Sequence, residues 1–222
     1  MTGAARSPRP RRAPRAHAHA LLCGAAALLV GPRLATAGGY EVAQQDAAAA
    51  GMGSAATGLA GSAAAGWFNP AALADGAGLR TELGLTFALT TLHAEALEGA
   101  PDAPWEAETD NPVSTPAYLY ASFAHADWAA GIAVQTAFGS AVVWPDDWVQ
   151  RFDIQRSQLQ FLRVAPYFAY RIDVVRLAAG PELDVGRLYV KRATNHVAEE
   201  GSAAMVLSGV GVGGQASVFV EP

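Results

Sequence analysis

The sequence contains little cysteine, little charge and no long apolar run. Its only cysteine, Cys23, precedes the point where we predict cleavage, so the exported chain has no thiol for a disulfide. Charged residues make up 16% of the chain, below the roughly 25% of typical soluble domains. No apolar stretch approaches the roughly 20 residues of a membrane-spanning helix. A disulfide-stapled domain and a helical membrane protein are therefore disfavoured, and the low charge indicates a surface that meets more than water.

The first 37 residues have the three parts of an export signal. Arginines crowd the first fifteen residues, an apolar core covers residues 20–30, and Ala35-Thr36-Ala37 supplies small residues at the cleavage positions. We therefore predict a signal peptide over residues 1–37. Its removal takes six of the 15 basic residues and none of the 20 acidic ones, leaving a net charge of −11. Nucleic acid is consequently a disfavoured partner, and a periplasmic or outer-membrane location fits best.

From about residue 80 onward, apolar residues recur at every second position, which is the period of a β-strand. In residues 127–139, for example, we expect one face to carry Trp128, Ile132, Val134 and Phe138. The alternation divides the chain into about six predicted strands, at 81–90, 117–125, 127–139, 154–171, 174–190 and 206–220. Short connections alternate with longer polar loops, which we place at 94–115, 140–153 and 191–202. This asymmetry is typical of outer-membrane β-barrels.

The two faces of the predicted strands differ in chemistry. In residues 174–190, leucine and valine dominate one face, whereas Arg176, Glu182 and Asp184 lie on the other. A soluble β-sandwich, the alternative for an alternating sequence, would not accept those charges in its core, but a polar barrel lumen would. Aromatic residues also gather near the predicted strand ends, as in interfacial girdles. We therefore predict an all-β, antiparallel outer-membrane barrel, with an exported soluble sandwich that binds a partner as the alternative.

No motif predicts catalysis, a metal or a cofactor. The stretch from Gly209 to Gly214 matches the spacing of a dinucleotide-binding loop, but a β-alternating run follows where that loop needs a helix. The histidines beyond residue 37 are widely separated and lack ligand spacing. The paired Asp146 and Asp147 lie in a predicted loop, where we expect a solvated turn. We therefore expect no enzymatic activity, no cofactor and no metal.

The predicted loop at residues 139–152 carries large apolar side chains in a segment that should face solvent. They are Trp144, Trp148 and Phe152. Exposed apolar residues of this kind often mark a binding surface, and the neighbouring Arg151 could meet an anionic head group. Ligand contact and a loop folded on itself over the barrel rim remain equal alternatives.

The segment after the predicted cleavage site resembles the start of a known family. Residues 39–73 run GYEVAQQDAAAAGMGSAATGLAGSAAAGWFNPAAL. This is similar to the FadL-type outer-membrane transporters of long-chain fatty acids and aromatic hydrocarbons, in which an N-terminal hatch with an Asn-Pro-Ala motif plugs a 14-stranded barrel. Farther on, FGSAVVW with DDWVQRF resembles the family's third strand and its long external loop. LRVAPYFAYRI resembles its proline-containing fourth strand.

The resemblance implies a division of the chain and a mechanism. The expected parts are a signal peptide (1–37), a hatch (38–78) and the first strands of an incomplete barrel (79–222). A hydrophobic ligand would land on an external groove, enter a pocket in the barrel and pass when the hatch moves. A kinked strand would offer a lateral exit toward the bilayer. The implied partners are a fatty acid or hydrocarbon ligand and outer-membrane lipid, and the full-length protein would be a monomer.

The resemblance also implies which residues form the site. The hatch motif would be Asn69, Pro70 and Ala71. The external ligand surface would include Trp144, Trp148, Arg151 and Phe152. By their chemistry alone, Arg163 and Arg176 are candidates in the lumen for a ligand carboxylate.

The number of strands separates this chain from a complete family member. We expect about six strands here, of the 14 in the family. Closed outer-membrane barrels begin at about eight strands, so six strands cannot close into a barrel. An open edge in lipid would leave backbone groups unpaired, and we therefore expect the chain to be a fragment of a longer barrel. A general porin-like channel is a further alternative, although such channels constrict with an inward loop rather than with a hatch.

Overall fold

The computed structural model describes residues 41–42, 45–97, 105–196 and 199–221. The predicted signal peptide lies outside the described residues, and so do residues 38–40 and 43–44 of the predicted hatch. No helix in the described ranges is long and apolar enough to cross a membrane.

Residues 45–77, which we call the N-terminal segment, contain three short helical stretches. They are α1 (Ala47–Gly51), α2 (Ala65–Phe68) and a 3-10 helix (Pro70–Leu73). Helix α1 begins after Asp46, whose Oδ2 accepts a hydrogen bond from the amide of Ala49 at 2.6 Å, the usual N-cap interaction. Pro70 begins the 3-10 helix, where a missing N–H leaves no hydrogen bond unmade.

The described residues contain eight strands. Their bounds are β1 (Gly78–Leu85), β2 (His93–Glu95), β3 (Glu106–Glu108), β4 (Ala117–His125), β5 (Trp128–Val143), β6 (Arg156–Ile172), β7 (Val175–Asn195) and β8 (Glu200–Val220). Six of them form one antiparallel sheet in the order β1-β4-β5-β6-β7-β8, and β2 pairs with β3 in a separate hairpin. The six predicted strands are thus confirmed as one antiparallel sheet, which is open, with β1 and β8 at its edges.

Tight turns join the strands at one end of the sheet. Ala126 and Asp173 have φ angles of 52° and 58°. Each is the first residue of a two-residue turn, Ala126 between β4 and β5 and Asp173 between β6 and β7. Positive φ angles in such turns match the twist of the flanking strands. We call this end the short-turn end. The opposite end, where residues 86–116 and 144–155 connect the strands, is the long-loop end.

Three predicted loops contain more strand than expected. Residues 94–115 include most of the β2–β3 hairpin, and β5 continues to Val143 inside the predicted loop 140–153. The predicted loop 191–202 is wrong for most of its length, because β7 runs to Asn195 and β8 begins at Glu200. In the loop at 191–202 the low apolar content misled the prediction, since a strand that extends beyond the bilayer needs no apolar face.

The alternation of faces agrees with the prediction except at one position. Trp128, Ile132 and Val134 lie on the outward face of β5, but Phe138 does not. The pairing of β5 with β6 shifts register between Thr136 and Phe138, as in a β-bulge. The bulge turns Phe138 to the inner face, where its ring meets that of Phe161 edge-on at 5.9 Å.

The buried core lies between the N-terminal segment and the inner face of the sheet. It is made mostly of alanine, from Ala65 and residues 71–74 on one side and from the central strands on the other. Tyr167 is the large side chain of this cluster. A Cβ on Gly66 would lie 2.8 Å from the Tyr167 ring, so glycine is required for this close approach. Small residues therefore let the segment lie flat on the sheet.

Candidate functional site

The Asn69-Pro70-Ala71 motif attaches the N-terminal segment to β8. The side-chain amide of Asn69 donates to the carbonyl oxygens of Thr57 and Val218, both at 3.2 Å. The amide of Ala71 donates to Ser217 Oγ at 3.1 Å. Asn69 is 5% exposed, and its Oδ1 has no hydrogen-bond partner among the described residues. The motif thus links α2, the 3-10 helix and β8 through the asparagine amide.

An ion cluster faces the N-terminal segment on the inner face of β6 and β7. Arg163 binds both carboxylate oxygens of Asp184, at 2.8 and 3.0 Å, and lies 3.4 Å from Glu182. Its guanidinium carbon is 5.7 Å from the ring centroid of Trp67 in α2, within cation–π range. The sequence had left Trp67 without a role. It now has one, because it covers the charge of the lumen candidate Arg163.

A second ion cluster lies at the short-turn end. Asp75, at the end of the N-terminal segment, forms ion pairs with both Arg171 and the other lumen candidate, Arg176. Asp127 also binds Arg171, and Glu221 also binds Arg176. Sequence reasoning missed Asp75 and Arg171, although alternation along β6 would have placed Arg171 on the same face as Arg163.

The beginning of the N-terminal segment contacts β1, β4 and β5. The hydroxyl of Tyr120 donates to the carbonyl oxygen of Gln45 at 2.7 Å, and the Gln45 amide donates to Thr136 at 2.8 Å. The hydroxyl of Ser62 donates to Glu82 at 2.7 Å. Each of the six strands of the large sheet thus gives the segment a polar contact, and β6 gives it Arg171 as well as the ring of Tyr167.

The external loop candidates form one cluster at the long-loop end. The rings of Trp144 and Trp148 stack at 4.3 Å, and Trp148 is buried, with Nε1 donating to the carbonyl of Ile154 at 2.8 Å. Arg151 lies 4.6 Å above the Phe152 ring and is paired with Glu200 at 2.9 Å. The hydrogen bonds that Arg151 donates to the Glu200 carboxylate raise the pKa of Arg151 above its ordinary value. The four residues are thus brought together, with Arg151 already occupied by a carboxylate.

A gap opens in the sheet beside the bulge of β5. Strand β4 pairs with β5 only as far as Gln135, so the next part of β5 has no neighbouring strand on that side. Glu41 bridges Phe138 there. The gap holds a cavity of about 700 Å³, whose apolar lining includes Val42, Val113, Val142, Leu159 and Phe161. Gln135, at the edge of the gap, is fully buried with neither amide atom hydrogen-bonded to a described residue.

The described residues hold no cluster of three or more histidine, cysteine or carboxylate side chains suited to a metal. The sheet instead has two chemically different faces, like the wall of a barrel. Its outer face is apolar, with leucine, valine and phenylalanine exposed on every strand of the large sheet except β5, and its inner face is polar and covered by a small-residue segment. An apolar outer face and a polar inner face are characteristic of membrane-spanning β-barrels.

Comparisons with known proteins identify the family. Residues 28–217 match the family described as Outer membrane protein transport protein (OMPP1/FadL/TodX). The chain therefore belongs to this family of outer membrane β-barrel transporters of hydrophobic compounds. In fold it is similar to the crystal structure of a FadL homologue from Pseudomonas aeruginosa, with a TM-score of 0.54 and 14% identity. The match covers 83% of this chain and 50% of that one, so the chain spans about half of its length. A comparison with curated proteins returned no match.

Proposed function

We propose that this protein carries long-chain fatty acids or aromatic hydrocarbons across the outer membrane by passive diffusion, with the N-terminal segment as a movable hatch. The observation that supports this most is the attachment of Asn69 and Ala71 to β8 by hydrogen bonds across an alanine-rich contact. A net gain of about 1 kcal/mol per hydrogen bond and little apolar bulk make this contact with β8 weak, whereas the ion pairs of Asp75 hold the end of the segment. The segment can therefore close the lumen and still shift.

The gap beside β5 is the proposed lateral exit. Its lining includes Val113, Val142 and Phe161, so an apolar ligand would stay in contact with apolar side chains while it crosses the wall. Because β4 does not continue beside β5 there, the ligand would displace only the short backbone bridge of Glu41 and Val42 to β5, not a strand ladder. We infer that the ligand enters the bilayer through this gap.

The external cluster of Trp144, Trp148 and Phe152 is the proposed landing surface. Since Trp148 is buried beneath Trp144, we assign the ligand contact to Trp144 and Phe152, with Trp148 as the support. Arg151 would receive a fatty carboxylate only in exchange for Glu200. In the lumen, Arg163 is the better candidate for a carboxylate, because its side chain is 18% exposed against 7% for Arg176, and a ligand would have to displace Asp184 or Glu182 from it. Arg176 is enclosed by two acids.

Uptake by the purified full-length barrel in lipid vesicles tests this function. We expect a radiolabelled long-chain fatty acid or toluene to enter along its gradient without an energy source, while a sugar of similar mass is excluded. Vesicle swelling with the sugar would instead support a general porin-like channel. Equal fatty acid entry in vesicles with and without the protein would contradict the proposal.

A further inference from the structure

The outward face of β6 and β7 changes from apolar to polar at one level, where β7 carries Arg187. On β7 the last apolar outward residue is Val185, and Arg187 follows. On β6 the corresponding residues are Leu162 and Gln160. Leu162 pairs with Val185, and Gln160 pairs with Arg187, so the change lies at the same height on both strands. On β8, Ser208 continues the polar row opposite Arg187.

The apolar part below this level has the height of a hydrocarbon layer. On β7 every outward residue from Val175 to Val185 is apolar. At about 3.3 Å per residue and a strand tilt of about 40°, this run spans roughly 25 Å along the membrane normal, which is the height of the apolar band in outer-membrane barrels. Tyr189, the next outward residue after Arg187, occupies the level of an interfacial aromatic. Arg187 therefore lies at the level of the lipid head groups.

Three basic side chains lie at and above this level on the long-loop side. Arg187 is joined by Arg156 and Lys191, which are cross-strand partners on β6 and β7. With Gln158 and Gln160, which face outward between them, they form what we call the outer basic patch. The patch extends from the cross-strand pair of Gln160 and Arg187 to that of Arg156 and Lys191. Over this length, no outward position of β6 or β7 carries an acidic residue.

The charges of the outer basic patch are largely uncompensated. Arg187 is exposed and forms no ion pair with another described residue. The Nε of Arg156 is buried without a hydrogen-bond partner in the described part of the chain. Lys191 is 3.8 Å from the carboxylate of Asp146, whose side chain is 91% exposed. Such a long contact with a solvated carboxylate contributes little.

We propose that the outer basic patch binds the phosphate groups of a glycolipid in the outer leaflet of the outer membrane. Guanidinium groups bind phosphate through paired hydrogen bonds, and the amides of Gln158 and Gln160 supply further donors. The apolar outward residues below the patch accept the acyl chains of the same lipid. Charge and height thus select a lipid that carries phosphate at its head group, rather than a soluble anion or a protein.

Arg192 offers a matched control within the same strand. It follows Lys191 on β7, is exposed and forms no ion pair with a described residue. Because successive side chains of a strand point to opposite faces, it faces away from the lipid. Replacing Arg192 changes the net charge of the protein as Arg187→Gln does, but leaves the outer basic patch intact.

Native mass spectrometry of the detergent-purified protein with added diphosphorylated lipid A tests the proposal. We expect the R156Q/R187Q/K191Q variant to retain about one tenth of the wild-type amount of lipid A, or less. Each basic residue near an anionic surface usually contributes binding free energy, and the variant lacks three of them. We expect R192Q to retain the wild-type amount, R187Q to fall below it, and R156K/R187K/K191R to bind almost as wild type does. Dephosphorylated lipid A should bind wild type only as weakly as it binds the triple variant.

Three results would overturn the proposal. They are equal retention by wild type and R187Q, equal loss in R187Q and R192Q, and equal binding of phosphorylated and dephosphorylated lipid A to wild type. Heat-dependent gel migration reports folding of each variant. The comparison of R187Q with R192Q decides the question even if the triple variant does not fold, because each changes a single exposed side chain.

Discussion

The side-chain amide of Asn69 donates a hydrogen bond to the carbonyl oxygen of Val218, 3.2 Å away and 149 residues farther along the chain. The contact joins the N-terminal segment to β8, at the edge of the described sheet. The acceptor is a backbone carbonyl of this edge strand. The asparagine is thus a long-range anchor, and the turn that it begins is held at a defined place on the barrel wall.

Asn69→Ala removes this anchor and the hydrogen bond to Thr57. We expect uptake of the hydrophobic ligand to fall several-fold, because the hatch no longer returns to one position on β8, while membrane insertion is unchanged. Vesicle uptake and heat-dependent gel migration measure the two effects. Asn195→Ala, at the exposed end of β7, is the matched control and should behave as wild type. Unchanged uptake in Asn69→Ala would reduce the motif to a simple turn.

Arg163→Gln leaves Asp184 and Glu182 without their shared cation on the inner face. We expect a loss of about 1–3 kcal/mol in the free energy of unfolding, since the charged hydrogen bonds of Arg163 and its cation–π contact with Trp67 are lost together. Arg163→Lys should recover part of the loss, because it restores the charge but not the paired hydrogen bonds. Urea unfolding in lipid vesicles, followed by tryptophan fluorescence, measures the difference. Equal stability of wild type and Arg163→Gln would show that the cluster is solvated.

Gly180→Ala probes the irregular pairing opposite Pro166. A Cβ at Gly180 would lie 2.0 Å from the carbonyl oxygen of Pro166, a backbone atom that cannot move alone. We expect the variant to lose about 1–3 kcal/mol, as overpacked sites do. Gly209→Ala is the control, because a Cβ there meets nothing within 4 Å. The same urea titration should separate them, and equal midpoints would contradict the close approach of β6 and β7.

Much of the sheet could be predicted from sequence, because one face of a barrel wall meets lipid and the other meets a polar interior. The outward leucines and valines of β7 and the inward Arg176, Glu182 and Asp184 leave a period-two pattern that needs no long-range information. The same pattern failed at Phe138, since a bulge reverses the faces without changing composition. It also failed for the parts of β7 and β8 beyond the apolar band, where both faces meet water.

The site was less predictable, because its contacts join distant parts of the chain. The Asn-Pro-Ala motif was recognisable by resemblance, but its partner Val218 was not, as a backbone carbonyl carries no sequence signal. No sequence pattern singled out Asp75. Its ion pairs with Arg171 and Arg176 depend on how the strands align. The role of Trp67 likewise became visible only through its contact with Arg163.

A reversible lock between the N-terminal segment and β8 tests the central claim most directly. The hydrogen bond from Ala71 to Ser217 brings the two Cα atoms within about 7 Å, the upper range for a disulfide, so Ala71→Cys with Ser217→Cys can form one. The pair Val185→Cys with Val210→Cys, exposed outward-facing partners on paired strands, stiffens the wall but leaves the segment free.

Uptake of a long-chain fatty acid into vesicles is then measured before and after reduction. A movable hatch predicts that the Ala71–Ser217 disulfide stops uptake, that a reductant restores it, and that the wall disulfide has little effect. Undiminished uptake through the fully formed Ala71–Ser217 disulfide would contradict the account.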